Sequence, residues 1–224
     1  MEDFSNIINW DSVDNQSNSF KNQTPFRFAF IEDFFEREFY EKLFETYPKI
    51  DETWTLGETS TKTQFIKFWN GLGPNDVVVH DDDPQYSEEW NKLKRYVQSE
   101  EFVEKIRKFS GVPVNKLKFF NFISYTKGGF QEPHIHNVGP STLIFMVYLS
   151  KNWVKGSPGG TYMASDVDES SIIFEPYNLD NSVAVFQDGP KAAHGIRLIT
   201  KDVERRALQI TFEGHSTDKG WTGE

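Results

Sequence analysis

The clearest structural signal lies in residues 117–149, LKFFNFISYTKGGFQEPHIHNVGPSTLIFMVYL, where apolar runs are separated by turn residues. Three runs have the length and composition of strands: Leu117–Tyr125, Glu132–Asn137 and Thr142–Leu149. The dipeptides Gly128-Gly129 and Gly139-Pro140 lie between them and are typical of turns. This part of the chain therefore predicts three consecutive β-strands.

The strand pattern continues to residue 212, whereas the chain before residue 117 has mostly helical spacing. Five further strands are predicted: Gly160–Met163, Ser171–Phe174, Ser182–Phe186, Gly195–Ile199 and Arg205–Phe212. The earlier segments are a strand at Phe26–Ile31 and helices at Glu36–Tyr47, Tyr86–Ser99 and Glu101–Phe109. This order predicts a mainly β chain with N-terminal helices, of the α+β class. The expected architecture is a β-sandwich or jelly roll with the helices packed on one sheet.

Three segments lack clear periodicity. Residues 1–23 are rich in Asn, Ser and Asp, which predicts a poorly ordered polar arm. Residues 214–224 are predicted to be a C-terminal tail, so that a single domain spans residues 24–213 and both ends are expected to be dispensable for the fold. Residues 51–85 predict a long loop with short strands, which we expect to serve as a lid or substrate loop.

Charge and composition exclude several classes of protein. The 224 residues carry a formal net charge of -10, which argues against binding to a phosphate backbone, so no nucleic-acid partner is expected. There is no cysteine, which excludes disulfides, thiolate zinc sites and iron–sulfur clusters. The apolar runs are far shorter than the roughly 20 residues that cross a bilayer, and the first residues do not resemble a signal peptide. We expect a soluble, cytoplasmic protein with no membrane contact; its oligomeric state stays open.

Three of the five histidines form a candidate metal site. His134 and His136 are one residue apart in a strand-like context, so both side chains point to the face that Glu132 also shares, while Ile135 points away. His194 lies after a later apolar strand. Two ligands from one strand and a third from another predict a facial metal site with open coordination positions. The other two histidines, His80 and His215, are interpreted as surface residues.

A series of short motifs extends this interpretation to most of the chain. They are Tyr125–Gly129, His134–His136, Tyr148–Trp153, Gly159-Gly160, Val183–Phe186, His194 and Arg205–Leu208. In this order and spacing the chain resembles the 2-oxoglutarate/Fe(II)-dependent dioxygenases, in particular their prolyl 4-hydroxylase-like branch. The strand and helix after Pro25 are similar to the start of many of these proteins, so the resemblance covers roughly residues 25–213.

The resemblance implies a double-stranded β-helix (jelly-roll) core and a hydroxylase that uses Fe(II), 2-oxoglutarate and O₂. Its substrate is a small molecule or a peptide that the sequence does not identify, and ascorbate is an optional further cofactor. His134, His136 and His194 are implied to be the metal ligands, with no catalytic residue expected beyond them. One departure is that His136 stands where the family has a carboxylate ligand, which leaves the site one negative charge short.

The last predicted strand is implied to bind 2-oxoglutarate. Its mostly apolar face is expected to pack on the helices and comprises Arg206, Leu208, Ile210 and Phe212. Arg205 then points to the interior, where its guanidinium can bind the distal carboxylate of 2-oxoglutarate. Tyr148 and Tyr125 are expected to donate hydrogen bonds to the same carboxylate.

Two alternatives stay open. A jelly roll with an altered ligand set can be a non-catalytic binding or structural protein, because a fold does not fix a function. A cupin-like three-histidine metalloenzyme that does not use 2-oxoglutarate is the other. The expected carboxylate contacts of Arg205 and Tyr148 argue against a non-catalytic role, and release of succinate from 2-oxoglutarate is the discriminating measurement.

Overall fold

The computed structural model describes residues 2–69, 82–136 and 141–214. The helices in this part of the chain are α1 (Trp10–Asn15), α2 (Ser17–Asn22), α3 (Arg37–Glu45), α4 (Glu88–Val97) and α5 (Glu100–Ser110). The strands are β1 (Phe28–Glu32), β2 (Thr55–Thr59), β3 (Lys62–Phe68), β4 (Lys116–Tyr125), β5 (Phe130–His134), β6 (Thr142–Leu149), β7 (Tyr162–Ala164), β8 (Ile172–Phe174), β9 (Asp180–Gln187), β10 (Ala193–Ile196) and β11 (Arg205–Glu213). None of the described helices is long and apolar enough to cross a membrane.

The strands form one curled, antiparallel sheet. Its order is β1-β9-β6-β11-β4-β3-β5-β10-β7-β8, and β2 pairs with β3 outside this path. Strand β11 lies near the middle, where it pairs with β4 on one side and β6 on the other. The predicted fold class is confirmed: the chain is mainly β, with N-terminal helices and a jelly-roll core.

Alternation along the central strands separates two apolar cores. On one face of β11, Leu208 and Ile210 pack in the same cluster as the buried side chains of the helices, as predicted. On the opposite face, Ala207 packs in a second cluster with Tyr125 and Tyr148. The helices therefore stabilise one side of the sheet, and the concave side is left to line a cavity.

Residues 7–22 are folded against the rest of the chain, which corrects the expectation of a poorly ordered polar arm. They form α1 and α2 and bury Ile7, Ile8, Val13 and Phe20. The Nε1 atom of Trp10 donates a hydrogen bond to the Tyr96 hydroxyl (3.0 Å), and the Phe20 ring lies 5.0 Å from that of Phe109. These apolar residues are too few and too irregularly spaced to predict helices, because their burial depends on contacts with α4 and α5.

The segment 51–85 contains a β-hairpin, and one of its strands belongs to the main sheet. Strand β3 lies between β4 and β5, with Phe65 paired to Ser124 and Lys62 paired to Gln131. Most of its side chains are half-buried on both faces, so the sequence lacks the clear alternation that predicts a strand. Residues 70–81, which include His80, lie outside the described residues, and so does part of the predicted lid.

Candidate metal centre

Strands β5 and β10 place two of the predicted ligands side by side. His134 and His194 are paired in the antiparallel register, so both side chains project from the same face of the sheet. His136 follows His134 by two residues, just beyond the end of β5. Ile135 points the other way and packs against Tyr162, Ala164 and Ala193. The predicted alternation of the His-Ile-His motif is therefore present.

The three imidazole rings converge on one point. Their centroids lie 4.4–4.8 Å apart, and one nitrogen from each ring lies within 4.8 Å of the others. The Nε2 atoms of His134 and His136 are 3.1 Å apart. Two nitrogens bound about 2.1 Å from one metal, at a right angle, lie about 3.0 Å apart. His194 is buried and His134 is half-buried, whereas 36% of the His136 side chain is exposed, so the cluster opens to solvent beside His136.

Backbone carbonyls fix the orientation of two of the rings. The Nδ1–H of His134 donates to the carbonyl of Glu132 (3.0 Å), and that of His194 donates to the carbonyl of Ala192 (2.9 Å). In a neutral imidazole the proton on Nδ1 leaves a lone pair on Nε2. Both rings therefore present an unprotonated nitrogen to the centre of the cluster, as metal ligation requires.

The protonation of the cluster also suits a metal. Burial lowers the pKa of His194 well below its ordinary value, and the neighbouring His134 and His136 lower it further. Removal from solvent is likewise the main cause that lowers the pKa of His134 and of His136. All three imidazoles are neutral near pH 7, which is the form that binds metal ions.

A cavity of about 180 Å³ lies beside the three histidines. Its polar lining includes Lys62, Gln64, Tyr125, Gln131, Thr161 and Gln209, and its apolar lining includes Ile66, Ile123, Ile144, Met146, Phe186 and Ile196. It is smaller than the roughly 300–1,000 Å³ pockets that bind drug-sized molecules. Its size and mixed lining suit a small polar ligand next to the histidines.

Arg205 is fully buried at the start of β11 and faces the concave side, as predicted. Its Nε donates to the carbonyl of Gly159 (2.8 Å), and Nη2 donates to Oγ1 of Thr161 (3.0 Å). The guanidinium lies 5.1 Å and 4.9 Å from the ring centroids of Tyr125 and Tyr148. Among the described residues Nη1 has no hydrogen-bond partner, and no carboxylate pairs with this buried cation. Because an unpaired buried charge is costly, the position is suited to an anionic ligand.

Arg205 and Tyr148 adjoin the cavity through Thr161. The Tyr148 hydroxyl accepts a hydrogen bond from the backbone N–H of Thr161 (2.9 Å), and Thr161 itself lines the cavity. Burial raises the pKa of Tyr148, so its hydroxyl keeps its proton. That proton remains available to an acceptor beside the guanidinium.

Tyr125 connects the cavity wall to the histidines. Its hydroxyl lies 2.7 Å from Oε1 of Gln64 and 3.1 Å from Oε1 of Gln131, and it can donate to either. The amide nitrogen of Gln131 in turn lies 3.3 Å from Nε2 of His134. Burial raises the pKa of Tyr125, which keeps this hydroxyl a donor.

Gln131, rather than Glu132, faces the histidines and the cavity, although strict alternation along β5 assigns that face to Glu132. The register between β5 and β10 shifts by one residue between the pairs His194–His134 and Ile196–Gln131. Such a bulge reverses the faces of the residues before it. Gln131 therefore lines the cavity and Glu132 is exposed. The remaining histidine, His215, lies outside the described residues.

Comparison with known proteins gives matches in structure alone. No protein-family model matches the sequence. No curated protein matches it either.

Among solved structures, the chain is similar to a prolyl-4-hydroxylase from Pseudomonas putida, with a TM-score of 0.59 and 14% identity over 92% of this chain and 98% of that one. A prolyl hydroxylase from Trichoplax adhaerens, in complex with a hypoxia inducible factor peptide fragment, gives a TM-score of 0.61 and 14% identity over 91% of this chain and 88% of that one. HygX from Streptomyces hygroscopicus, with nickel, 2-oxoglutarate and hygromycin B bound, gives a TM-score of 0.53 and 12% identity over 84% of this chain and 82% of that one. The chain has the fold of the prolyl hydroxylases and of other 2-oxoglutarate/Fe(II) oxygenases, which confirms the predicted resemblance at the level of fold.

Proposed function

We propose that the protein is a 2-oxoglutarate- and Fe(II)-dependent dioxygenase that hydroxylates a peptide or a small molecule. The observation that carries this proposal is the arrangement of one cavity. Three neutral imidazoles converge beside it, and a buried guanidinium that pairs with no carboxylate of the described residues adjoins it. The first group suits a divalent metal and the second suits a carboxylate.

The donor set fits Fe(II) as the metal. His134, His136 and His194 offer three nitrogens on one side of a metal, so further positions stay open toward the cavity. Imidazole also binds Cu(II), Ni(II) and Zn(II), so the site's intrinsic affinity does not select iron. HygX has both nickel and 2-oxoglutarate bound, which supports the use of Ni(II) as a redox-inactive probe.

The surroundings of Arg205 fit 2-oxoglutarate as the cosubstrate. A dicarboxylate with one end toward the histidines can present its other carboxylate to Arg205, whose charge the described residues leave unpaired. The hydroxyls of Tyr148, Tyr125 and Thr161 are the further donors near this position. Binding would supply the counter-ion that no described residue offers to the buried guanidinium.

Fe(II) and 2-oxoglutarate together supply O₂ activation when they are bound, and the chain's own residues bind, orient and shield them. Backbone carbonyls hold His134 and His194 in the tautomer that ligates, and Arg205 fixes the cosubstrate's orientation. Apolar side chains such as Ile144 and Phe186 exclude water from the cavity. Ascorbate, as a reductant, is an optional addition in the same proposal.

The substrate enters on the open side, beside exposed His136. The structural neighbours include a prolyl hydroxylase bound to a peptide and an enzyme bound to hygromycin B. Proteins of this fold thus bind both peptides and small molecules, and we propose a substrate from one of these two classes for this chain. The cytoplasmic location and the absence of nucleic-acid and membrane partners stay predictions from composition.

A cupin-like three-histidine metalloenzyme is the second candidate, favoured by one observation. The ligand set contains imidazoles alone, where the dioxygenase family has a carboxylate. Such an enzyme has no need for a buried guanidinium beside the cavity. Arg205 therefore favours the dioxygenase over this candidate and over a non-catalytic module.

The experiment is to measure 2-oxoglutarate binding and turnover on the full chain. Calorimetry with Ni(II) present should show 2-oxoglutarate binding that disappears when a chelator removes the metal. With Fe(II) and O₂, succinate should form faster than in the absence of protein. Metal binding without 2-oxoglutarate binding would support the cupin-like candidate, and loss of both would support a non-catalytic module.

A further inference from the structure

His136 differs from the other two histidines in how its ring is held. The Nδ1 atoms of His134 and His194 donate to backbone carbonyls within their own strands. His136 lies beyond the end of β5, its ring is exposed, and no backbone carbonyl of the described residues holds its Nδ1. Among the described residues, the carboxylate of Asp188 faces this nitrogen, with Oδ2 at 3.9 Å.

Asp188 is a buried and well-fixed carboxylate. It directly follows β9, and its side chain is 0% exposed. Its Oδ1 accepts a hydrogen bond from the backbone N–H of Gly189 (2.9 Å), and its own N–H donates to the carbonyl of Thr142 (3.0 Å). These bonds hold the carboxylate in place, with Oδ2 directed toward His136.

Asp188 lies outside the ligand cluster itself. The potential ligand atoms that lie within 4.8 Å of one another come from His134, His136 and His194, and the set does not include an oxygen of Asp188. A carboxylate behind a ligating imidazole, on the nitrogen away from the metal, is a common outer-shell arrangement that fixes the ring's tautomer. The 3.9 Å between Oδ2 and Nδ1 is longer than a hydrogen bond, and a movement of about 1 Å by the His136 ring gives a hydrogen bond of about 2.9 Å.

We propose that Asp188 is the positioning residue of His136. Its carboxylate, behind the His136 ring, also supplies the negative charge that the three-histidine ligand set lacks. This inference rests on the proposed metal site. The carboxylate keeps the proton of His136 on Nδ1 and turns the Nε2 lone pair toward His134 and His194. Its charge also offsets part of the charge of a divalent ion held by three neutral ligands.

The test is a double-mutant cycle on metal affinity in the full chain, with Co(II) as the probe. Asp188→Asn keeps the shape of the side chain and the acceptor oxygen but removes the charge. We expect it to weaken Co(II) binding by about 10- to 100-fold, the usual cost of losing an outer-shell partner. The second background is His136→Asp, in which the carboxylate is a ligand and no imidazole needs to be oriented. There we expect Asp188→Asn to leave Co(II) affinity unchanged or to increase it, because two neighbouring carboxylates repel each other.

The cycle separates a positioning role from a structural one. If Asp188 only fixes the loop after β9, Asp188→Asn weakens Co(II) binding equally in both backgrounds, and the proposal is overturned. Unchanged affinity of Asp188→Asn in the wild-type background overturns it as well. If the wild-type chain does not bind Co(II) at all, the metal site itself is absent, and the proposed function fails together with this inference. Circular dichroism melting of each variant checks that the folded state is the one titrated.

Discussion

Arg205 is the single residue on which cosubstrate binding depends most directly. Arg205→Met removes the charge while it keeps the length and apolar stem of the side chain. A charge-assisted hydrogen bond contributes about 1.5–3 kcal/mol, so 2-oxoglutarate affinity should fall roughly ten- to a hundredfold. Because the guanidinium is buried and no carboxylate of the described part of the chain pairs with it, we expect the melting temperature of the free protein to stay the same or rise. Calorimetry with Ni(II) and thermal melting measure the two effects.

Arg206→Met is the matched control. Arg206 is the next residue along β11, and its Nε and Nη2 donate to Oε2 of Glu204 (3.1 Å and 2.9 Å). Its side chain lies over the rings of Phe44 and Tyr47, on the side of the helices. We expect unchanged 2-oxoglutarate affinity. Weaker binding in Arg206→Met but not in Arg205→Met would show that the two faces of β11 are assigned the wrong way round.

The three histidines give a second prediction, on the metal itself. Alanine at His134, His136 or His194 should each weaken Co(II) binding by more than about 100-fold, since even outer-shell changes cost 10- to 100-fold. His136→Asp recreates the two-histidine, one-carboxylate set and should retain Fe(II) binding. Metal titrations with circular dichroism controls measure this. Near-wild-type affinity in His136→Ala alone would remove His136 from the site.

For single residues, the sequence predicts the direction of a side chain only where apolar and polar residues alternate regularly along a strand. The directions of Arg205 and of the His-Ile-His motif follow from a period of two along a strand. In the structure, Arg205 and the side chains of this motif lie on the expected faces. Gln131 does not follow from it, because the bulge in β5 interchanges the faces of Gln131 and Glu132. Asp188 is equally hidden in the sequence, since its contact with His136 joins two separate strand ends.

At the scale of elements, Gly195 decides how closely β10 approaches its neighbours. A Cβ atom at this position would lie 2.4 Å from the Tyr162 hydroxyl and 2.7 Å from the Gln131 carbonyl oxygen. Gly195→Ala therefore pushes β10 away from β5 and β7 and displaces His194. We expect a loss of about 1–3 kcal/mol in unfolding free energy, typical of overpacking, together with weaker Co(II) binding. Urea unfolding and metal titration measure the two.

Gly57→Ala is the control for this variant. Gly57 also lies in a strand, β2, but the nearest atom to an added Cβ would be 3.7 Å away, an ordinary contact. We expect stability and Co(II) affinity close to wild type. If Gly195→Ala behaves like Gly57→Ala, then β10 has room that the structure does not show.

Among the elements, the sequence predicts best those whose apolar residues recur regularly. Strand β6 has the predicted bounds, Thr142–Leu149, because it is buried along its whole length and reads as one continuous apolar run. Helix α5 ends at the predicted cap, Gly111, which has a left-handed φ of 68°. The sequence does not predict strand β3 or helices α1 and α2 individually, because tertiary contacts rather than local patterns bury their few apolar residues.

At the scale of the whole molecule, the sheet separates stability from chemistry. The larger core, between the sheet and the helices, contains the buried side chains of α1 and α2, and the candidate site lies on the opposite face. Substitutions in the helical core should therefore change unfolding free energy and leave ligand affinity nearly intact. Ile7, Ile8, Val13 and Phe20 belong to this core, so we no longer expect the N-terminal segment to be dispensable.

Phe20→Ala tests this division. Phe20 in α2 is 0% exposed and packs on Phe109 of α5, so its truncation should cost about 3–5 kcal/mol of unfolding free energy. Leu198→Ala is the control, because Leu198 is 53% exposed and a surface change typically stays within about 0.5 kcal/mol. Both variants should bind Co(II) and 2-oxoglutarate with wild-type affinity well below their melting temperatures. Weaker Co(II) or 2-oxoglutarate binding by folded Phe20→Ala would show that the N-terminal helices affect the candidate site. An unchanged unfolding free energy would show that they do not stabilise the core.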